Sequence, residues 1–262
     1  MTEHFEKYNE VRAFWNSRAG LGQWAGSRDV VAKQLEIEAI ATYVKDGMKV
    51  LEIGCGNGIT AIELARRYDA DIWAFDYAEE MVSAAQSFAK SASCKGNIFF
   101  QVGDVLKMPH FDKKFDLIYT ERVLINLQSW ESQRRAIMDI CGLLSNGGVY
   151  VMCENSQDGL DKINTLRLQA KLNNIEPPWH NRYFRDSEIE QINTPGVMLE
   201  EINTYSSTYY FISRVVNAWL AAKNGIEPDY DADINQLALQ LPPVGDFGQG
   251  RIWLWRKTDQ LI

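Results

Sequence analysis

The sequence predicts an α/β protein: a mostly parallel seven-stranded sheet, helices on both faces, and a helical cap over one edge. Three observations carry this reading. Short apolar runs alternate with segments of helical period through the first 155 residues, the pattern of a parallel sheet covered on both sides. The run Val50-Leu-Glu-Ile53 passes directly into glycines at 54, 56 and 58, a strand–turn–helix junction that brings backbone close to a ligand. Two stretches, 156–196 and 205–248, interrupt the late strands and are too long to be plain connections.

The elements follow in order. Residues 5 to 47 read as helical, within an N-terminal cap assigned to 1–47; positions 30, 33, 37, 40 and 44 share one stripe, Asp29 is the N-cap, and Gly47 closes the segment. The core is assigned to 48–155. After the glycine turn comes an amphipathic helix, Ile59 to Arg67, then a strand ending in an acid, Asp71 to Asp76. A helix from Glu79 to Lys90, a strand from Asn97 to Gln101, the turn Gly103-Asp104-Val105 and a strand from Phe115 to Thr120 continue the alternation. A helix from Trp130 to Leu144 leads through Leu143-Leu-Ser-Asn-Gly-Gly148 into a fifth strand, Val149 to Glu154. Val197 to Asn203 is the sixth strand, within a core segment 197–204. Arg251 to Arg256 is the seventh, within 249–262. Between them, Ile212, Val215, Val216, Trp219 and Leu220 recur at helical spacing, and a short helix from Asp233 to Leu241 stops at Pro242-Pro243. Both insertions, with the amino-terminal helices, are expected above the carboxyl edge of the sheet.

Composition narrows the function classes. Of the residues, 46% are hydrophobic and 24% charged, which is ordinary for a globular protein. The net charge of −8 argues against a nucleic-acid partner, which requires a basic stripe. Cysteines at 55, 94, 141 and 153 have neither CxxC nor metal-ligand spacing, so no metal is expected and a reducing compartment fits. The amino terminus carries no apolar leader and no run approaches a membrane span, so the expected location is the cytoplasm, with no membrane partner. The sequence is silent on oligomeric state.

The glycine pattern distinguishes between cofactors. A dinucleotide fingerprint would have its third glycine three positions after the second, where this chain has Ile59. Glycines at 54, 56 and 58, with Glu52 two residues earlier, instead resemble motif I of the class I methyltransferases that use S-adenosylmethionine. Asp76, eighteen positions beyond Gly58, the Gly103-Asp104-Val105 turn, and the Leu143–Gly148 turn with Asn146 in place of a common proline all fall where that family has its motifs. The resemblance covers 48 to 155 and implies a Rossmann-like fold with S-adenosyl-L-methionine as cofactor. It implies Asp76 on the ribose hydroxyls, Asp104 and Val105 on adenine, and Glu52, Gly54, Gly56, Asn57, Tyr77 and Met81 around them. Glu121, after the fourth strand, either holds the cofactor ammonium or is a loop acid. Arg18 either resembles the amino-terminal arginine that binds the cofactor carboxylate in several branches or is a surface helix residue.

Methyl transfer from a sulfonium needs alignment more than activation, and a base helps only when the acceptor atom carries a proton. His180, in Pro177-Pro-Trp-His-Asn-Arg-Tyr183, is the leading base candidate, with a structural histidine as the equal alternative. His4 and His110 are read as incidental. Many relatives have a histidine at the position of Asn126, so no base is assigned there. Glu154, ending the fifth strand, is a base, a substrate acceptor or a solvated acid. Arg182, Tyr183, Tyr209 and Arg214 are the substrate candidates, the arginines as a clamp for an anion. Glu176-Pro-Pro-Trp179 is similar to a signature of DNA-base methyltransferases, but it lies outside the fourth strand and begins with the wrong residue.

The reading is therefore an S-adenosylmethionine-dependent methyltransferase acting on a small, polar, anionic acceptor. Methylation is expected on oxygen of a sugar or phosphorylated intermediate, the insertions loosely resembling methyltransferases of surface-polysaccharide biosynthesis. A nicotinamide-dependent oxidoreductase and a non-catalytic S-adenosylmethionine-binding protein are the alternatives.

Overall fold

A computed structural model describes residues 2–258, without the side chains of residues 2–5 and Gln23. Its strands are β1 (Lys49–Ile53), β2 (Asp71–Asp76), β3 (Asn97–Val102), β4 (Phe115–Glu121), β5 (Leu144–Asn155), β6 (Val197–Asn203) and β7 (Gly250–Lys257). They form one sheet in the order β3-β2-β1-β4-β5-β7-β6. The first five strands run parallel, and β7 lies antiparallel between β5 and β6. Winding reverses between β1 and β4, which opens the crevice where such sheets hold ligands.

The helices are α1 (Thr2–Arg18), α2 (Val30–Ala41), α3 (Ile59–Arg67), α4 (Glu79–Lys90), α5 (Trp130–Cys141), α6 (Gln157–Gln169), α7 (Asp186–Ile189), α8 (Ser207–Phe211), α9 (Ala218–Lys223) and α10 (Asp233–Gln236). Among the described residues no helix is long and apolar enough to cross a membrane.

Period-two alternation sorts the sheet into two cores. Leu51, Ile53, Phe115, Ile118, Trp253 and Trp255 pack on one face with Ile137 and Ile140 of α5 and Ile189 of α7. Val50, Leu117, Tyr119, Val151, Cys153 and Leu254 pack on the other, with Ile40 of α2 and Leu64 of α3. The register slips between Phe115 and Leu117, which lets residues two apart serve opposite faces.

Three expectations need correction. On the predicted α2 stripe Ile37, Ile40 and Val44 are buried, but Val30 is exposed and Lys33 reaches the ligand cavity, because Val31, Ala32 and Glu36 complete the buried face. The 212–220 stripe fails at its end. Residues Ile212–Asn217 form a π-helical turn, whose wider winding rotates the face that follows. Ala218 and Ala221 are buried in consequence, while Trp219 and Leu220 remain 43% and 38% exposed.

The third concerns the cap. Residues of α1 and the first insertion cover the crevice, but the second insertion does not. Its Tyr209, Tyr210, Ile212, Val215 and Ala238 pack on Val31 and Ala32 of α2 and Ile163 of α6, behind the site. Its anchor is Asp29. Oδ1 accepts the Ala32 N–H that caps α2 (2.9 Å) and the Tyr209 hydroxyl, and Oδ2 accepts from Arg214 Nη2. The Arg214 guanidinium also lies 4.3 Å from the Tyr230 ring centroid. Tyr209 and Arg214 therefore clamp a carboxylate of this chain, not an acceptor.

Removing one partner of a buried ion pair leaves the other uncompensated. Asp29→Ala is expected to lower the unfolding free energy by about 3–5 kcal/mol, and Tyr209→Phe by about 1 kcal/mol, both measured by urea denaturation.

Candidate active site

A cavity of about 400 Å³ opens at the carboxyl ends of β1, β2 and β4. Its floor is the glycine turn. Gly54 has φ 72°, and a Cβ there would lie 2.3 Å from Cγ2 of Val123, so only glycine lets the turn pack on the loop after β4. Gly56 has φ 51° and no atom within 4 Å of a would-be Cβ, which leaves its backbone open to a ligand. Asp76 Oδ2 accepts the Gly56 N–H at 2.8 Å and Oδ1 accepts the Ala78 N–H at 2.8 Å. Burial pushes its carboxyl up against the pull of those N–H groups. Each oxygen keeps a second acceptor position, enough for a pair of ribose hydroxyls. Tyr77, Met81, Asp104 and Val105 line the adjoining wall, and Asp104 Oδ1 accepts the Leu106 N–H (2.8 Å). Tyr8 of α1 closes it, its hydroxyl held protonated by burial and by the Asp104 carboxylate. Asn57 donates through Nδ2 to the Gly22 carbonyl, tying the amino-terminal segment to the glycine turn.

Strand alternation assembles a buried charge cluster beneath α2. Glu52 follows Val50 on its face, and Glu121 follows Tyr119 and Leu117 on theirs. Lys33 of α2 donates to Glu121 Oε1 and to Thr60 Oγ1 (2.8 Å), and Thr60 donates to Glu121 Oε2 at 2.6 Å. Arg122, at φ 56°, places Nε 3.0 Å from Glu36 Oε1. Although burial pushes Glu121 up, Lys33 and Arg122 together hold it at about 2. Burial, with Glu121 nearby, pushes Glu52 up to about 8, and burial raises Glu36 despite Arg122. Three carboxylates thus face two cations. Glu36 Oε2 and Glu52 Oε2 have no partner, and Glu52 lines the cavity. A cationic ligand group would balance the cluster at Glu52. Glu121 also lines the cavity, but both its oxygens are occupied, which moves the expected ammonium contact to Glu52.

The opposite wall comes from α1 and the first insertion. The His180 ring lies 4.7 Å from Phe14 and 5.7 Å from Trp15, centroid to centroid, and lines the cavity. Its Nδ1 is buried without a partner, and burial and Arg18 lower its pKa from the ordinary 6.5, so the ring is neutral at pH 7. Tyr183, Asn181 and Asn155 complete this wall. Arg18 lines the cavity while donating to the carbonyls of Ala25 and Trp24, so it is no free surface arginine.

Two further candidates fall elsewhere. Glu154 is turned away from the cavity, its carboxylate accepting the N–H groups of Val123 (3.1 Å), Leu124 (2.9 Å) and Ile125 (3.3 Å) and so shaping the loop after β4. Burial still pushes it up to about 7. Arg182 pairs with Glu188 and donates to Gln133 Oε1 at 2.7 Å. The anion clamp expected from Arg182 and Arg214 therefore does not exist. His110 is exposed beside Asp112 (2.7 Å), and the side chain of His4 lies outside the described residues. Lys33, Glu36, Tyr8, Phe14, Trp15, Asn155 and Asn181 were missed as site residues. A lysine and a glutamate on the buried stripe of α2 were the one sequence signal for part of this set.

These features fit S-adenosylmethionine: open backbone at Gly56, Asp76 with free acceptor positions, Asp104 beside Val105, and an unbalanced carboxylate at Glu52. Asp76→Ala is expected to weaken binding about ten- to a hundred-fold, and calorimetry showing unchanged affinity in a folded variant would remove Asp76 from the ribose. Glu52 is protonated at neutral pH and must ionise to pair with an ammonium. Affinity should therefore rise with pH up to about 8 and level off above, with a proton released below that point. Calorimetry in two buffers of different ionisation enthalpy reads that proton, and Glu52→Gln should abolish it.

A family model described as a methyltransferase domain matches residues 44–196, more than half of the chain. Norajmaline N-methyltransferase of Rauvolfia serpentina is 27% identical over 162 residues, covering 52% of this chain and 55% of that protein. The chain thus spans about half the length of that relative. Among solved structures, magnesium protoporphyrin IX methyltransferase from Synechocystis PCC 6803 with bound S-adenosylmethionine has a TM-score of 0.59 at 17% identity, covering 96% of this chain and 97% of that one. A protein in complex with the Haloferax volcanii Trm112 methyltransferase activator reaches 0.63 at 15% identity, covering 95% of this chain and 98% of that one. These structures share the fold. With the family model lying across the glycine turn, the acid-ended second strand and the adenine turn, the chain belongs to the class I S-adenosylmethionine-dependent methyltransferases.

Proposed function

We propose that the protein methylates a small acceptor enclosed between α1 and the first insertion, with His180 as the proton acceptor. S-adenosylmethionine supplies a methyl group on positive sulfur, so the protein's task is to align the acceptor and keep water out. The observation that carries the reading is His180 Nδ1. It is a buried, unpartnered, neutral imidazole nitrogen lining the same cavity as Gly56, Asp76 and Asp104.

The roles divide by wall. Asp76 and Asp104 hold the nucleoside end, and Glu52, the one carboxyl of the cluster without a cation, receives the ammonium. Arg18 is free to meet the carboxylate with the donors its backbone contacts leave over. Phe14 and Trp15 fix the imidazole plane and exclude water, and Trp15 is itself held by its Nε1 donating to Asn126 Oδ1 at 3.1 Å. His180 takes the acceptor's proton as the methyl group arrives.

His180→Ala is expected to reduce kcat by about 10²–10⁴-fold and to leave the cofactor Kd unchanged, since the residue lies across the cavity from the glycine turn. Because its pKa is lowered, wild-type kcat should hold at neutral pH and fall only in acid below 6.5, as the ring takes a proton. Full turnover by the variant across that range would leave His180 a structural role only.

A further inference from the structure

Five buried side-chain atoms without a hydrogen-bond partner belong to residues lining the cavity: Glu52 Oε2, Arg122 Nε, Asn155 Oδ1, His180 Nδ1 and Asn181 Oδ1. The first two belong to the charge cluster of the cofactor end. The other three line the acceptor wall with Tyr183, whose hydroxyl lies beside the amides of Asn155 and Asn181. Buried polar groups are normally paired. Asn155 is 4% and His180 9% exposed, so bulk water is a poor substitute. All three are neutral, and they remain so whichever way the amides are turned.

The charged groups around this wall exclude two classes of acceptor. The cations lining the cavity are Arg18, Lys33 and Arg122. Lys33 and Arg122 are bound to Glu121 and Glu36, and Arg18, which keeps its charge while donating to two backbone carbonyls, is assigned above to the cofactor carboxylate. Arg182 and Arg214 are paired elsewhere. An anionic acceptor would enter without a counter-charge, which a buried site penalises strongly. A protonated amine would find no carboxylate on this wall, since the acids lining the cavity, Glu52, Asp76, Asp104 and Glu121, all belong to the cofactor end. Phe14, Trp15, Ile125, Leu127 and Pro178 give the wall an apolar face, and the Asn126 amide among them is occupied by Trp15 and two backbone carbonyls. The cofactor would share the same cavity of about 400 Å³, so the acceptor is small.

Building on the reading above, we propose that the acceptor is an uncharged hydroxyl compound with an apolar ring face. Its hydroxyl donates to His180 Nδ1 and accepts from the amide NH2 of Asn155 or Asn181, turned to face it, and its ring lies on Phe14 and Trp15. The O–H bond breaks as the oxygen–methyl bond forms; the proton goes to His180 Nδ1, and the sulfur–methyl electron pair stays on sulfur.

The test is binding of ring-matched probes to the S-adenosylhomocysteine-loaded protein, read by ligand-observed NMR. One series is benzyl alcohol, benzyl phosphate and benzylamine; the other is methyl glucoside and its 6-phosphate, so the two arms tell an aromatic ring from a pyranose. The neutral alcohol of at least one series should bind about ten-fold or more tightly than its charged partners. Asn181→Ala, which alters a partly exposed loop residue, should erase that preference with S-adenosylhomocysteine affinity unchanged. Equal or tighter binding of the phosphate or the amine overturns the proposal, as does absence of binding by both neutral probes. Calorimetry separates the two levels: failure to bind S-adenosylhomocysteine sinks the methyltransferase reading, whereas normal binding with the wrong probe preference sinks only the acceptor class.

Discussion

The structure turns on a set of buried charges that does not balance. Glu36, Glu52 and Glu121 meet only Lys33 and Arg122 beneath α2, with Thr60 bridging. Burying such groups is costly unless each is paired, and the pairing joins α2, α3, the end of β4 and Arg122 at one point, beside the unpaired Glu52 of β1. Arg122 adopts a left-handed backbone to reach Glu36, and the loop it starts is held open by the Glu154 carboxylate on three successive N–H groups. Val123 in that loop packs where only glycine at 54 permits it. Glu52 is the carboxyl left without a cation, protonated on the cavity surface until a cationic group arrives there to pair with its ionised form.

The two insertions solve different problems. The first brings His180, Asn181 and Tyr183 to the cavity, braced by Arg182 on Glu188 and by Asp186, which accepts from the buried Arg251 of β7. The second stabilises α2 from behind, through Asp29, Tyr209 and Arg214. It acts on the site indirectly, because α2 carries Lys33 and Glu36. Arginine and tyrosine in a cap are therefore ambiguous: the same side chains that would hold an anionic substrate also hold a carboxylate of the protein.

A division of labour also runs across the cavity. The cofactor end is charged, with Asp76 and Asp104 anchored by backbone N–H groups, Glu121 by Lys33, and Glu52 left open. The acceptor end is aromatic and neutral, with donors and acceptors left over. This polarity follows from chain order, since the strand ends of the sheet supply the first end and α1 and the first insertion most of the second. Family membership accordingly speaks to the cofactor and leaves the acceptor to this chain's own wall.

How much was legible follows the range of the interactions. Glycines at 54, 56 and 58, the acid ending Asp71–Asp76, and the helices Ile59–Arg67 and Glu79–Lys90 are written in local spacing, and the structure has them at those residues. Local backbone geometry and period need no distant partner, so these strands, helices and the glycine turn were determined by sequence alone, the resemblance pointed to the nucleotide site, and the order of the strands came from the tertiary structure. Which way Glu154, Arg182 and Arg214 point was not, because each answers to partners from 6 to 185 positions away. The exposure of Trp219 depends on one π-turn, and the reach of Lys33 on the face α2 turns to the sheet. Tertiary packing decided these, since a charged side chain settles wherever a counter-charge compensates its burial, and that position exists only once the chain has folded.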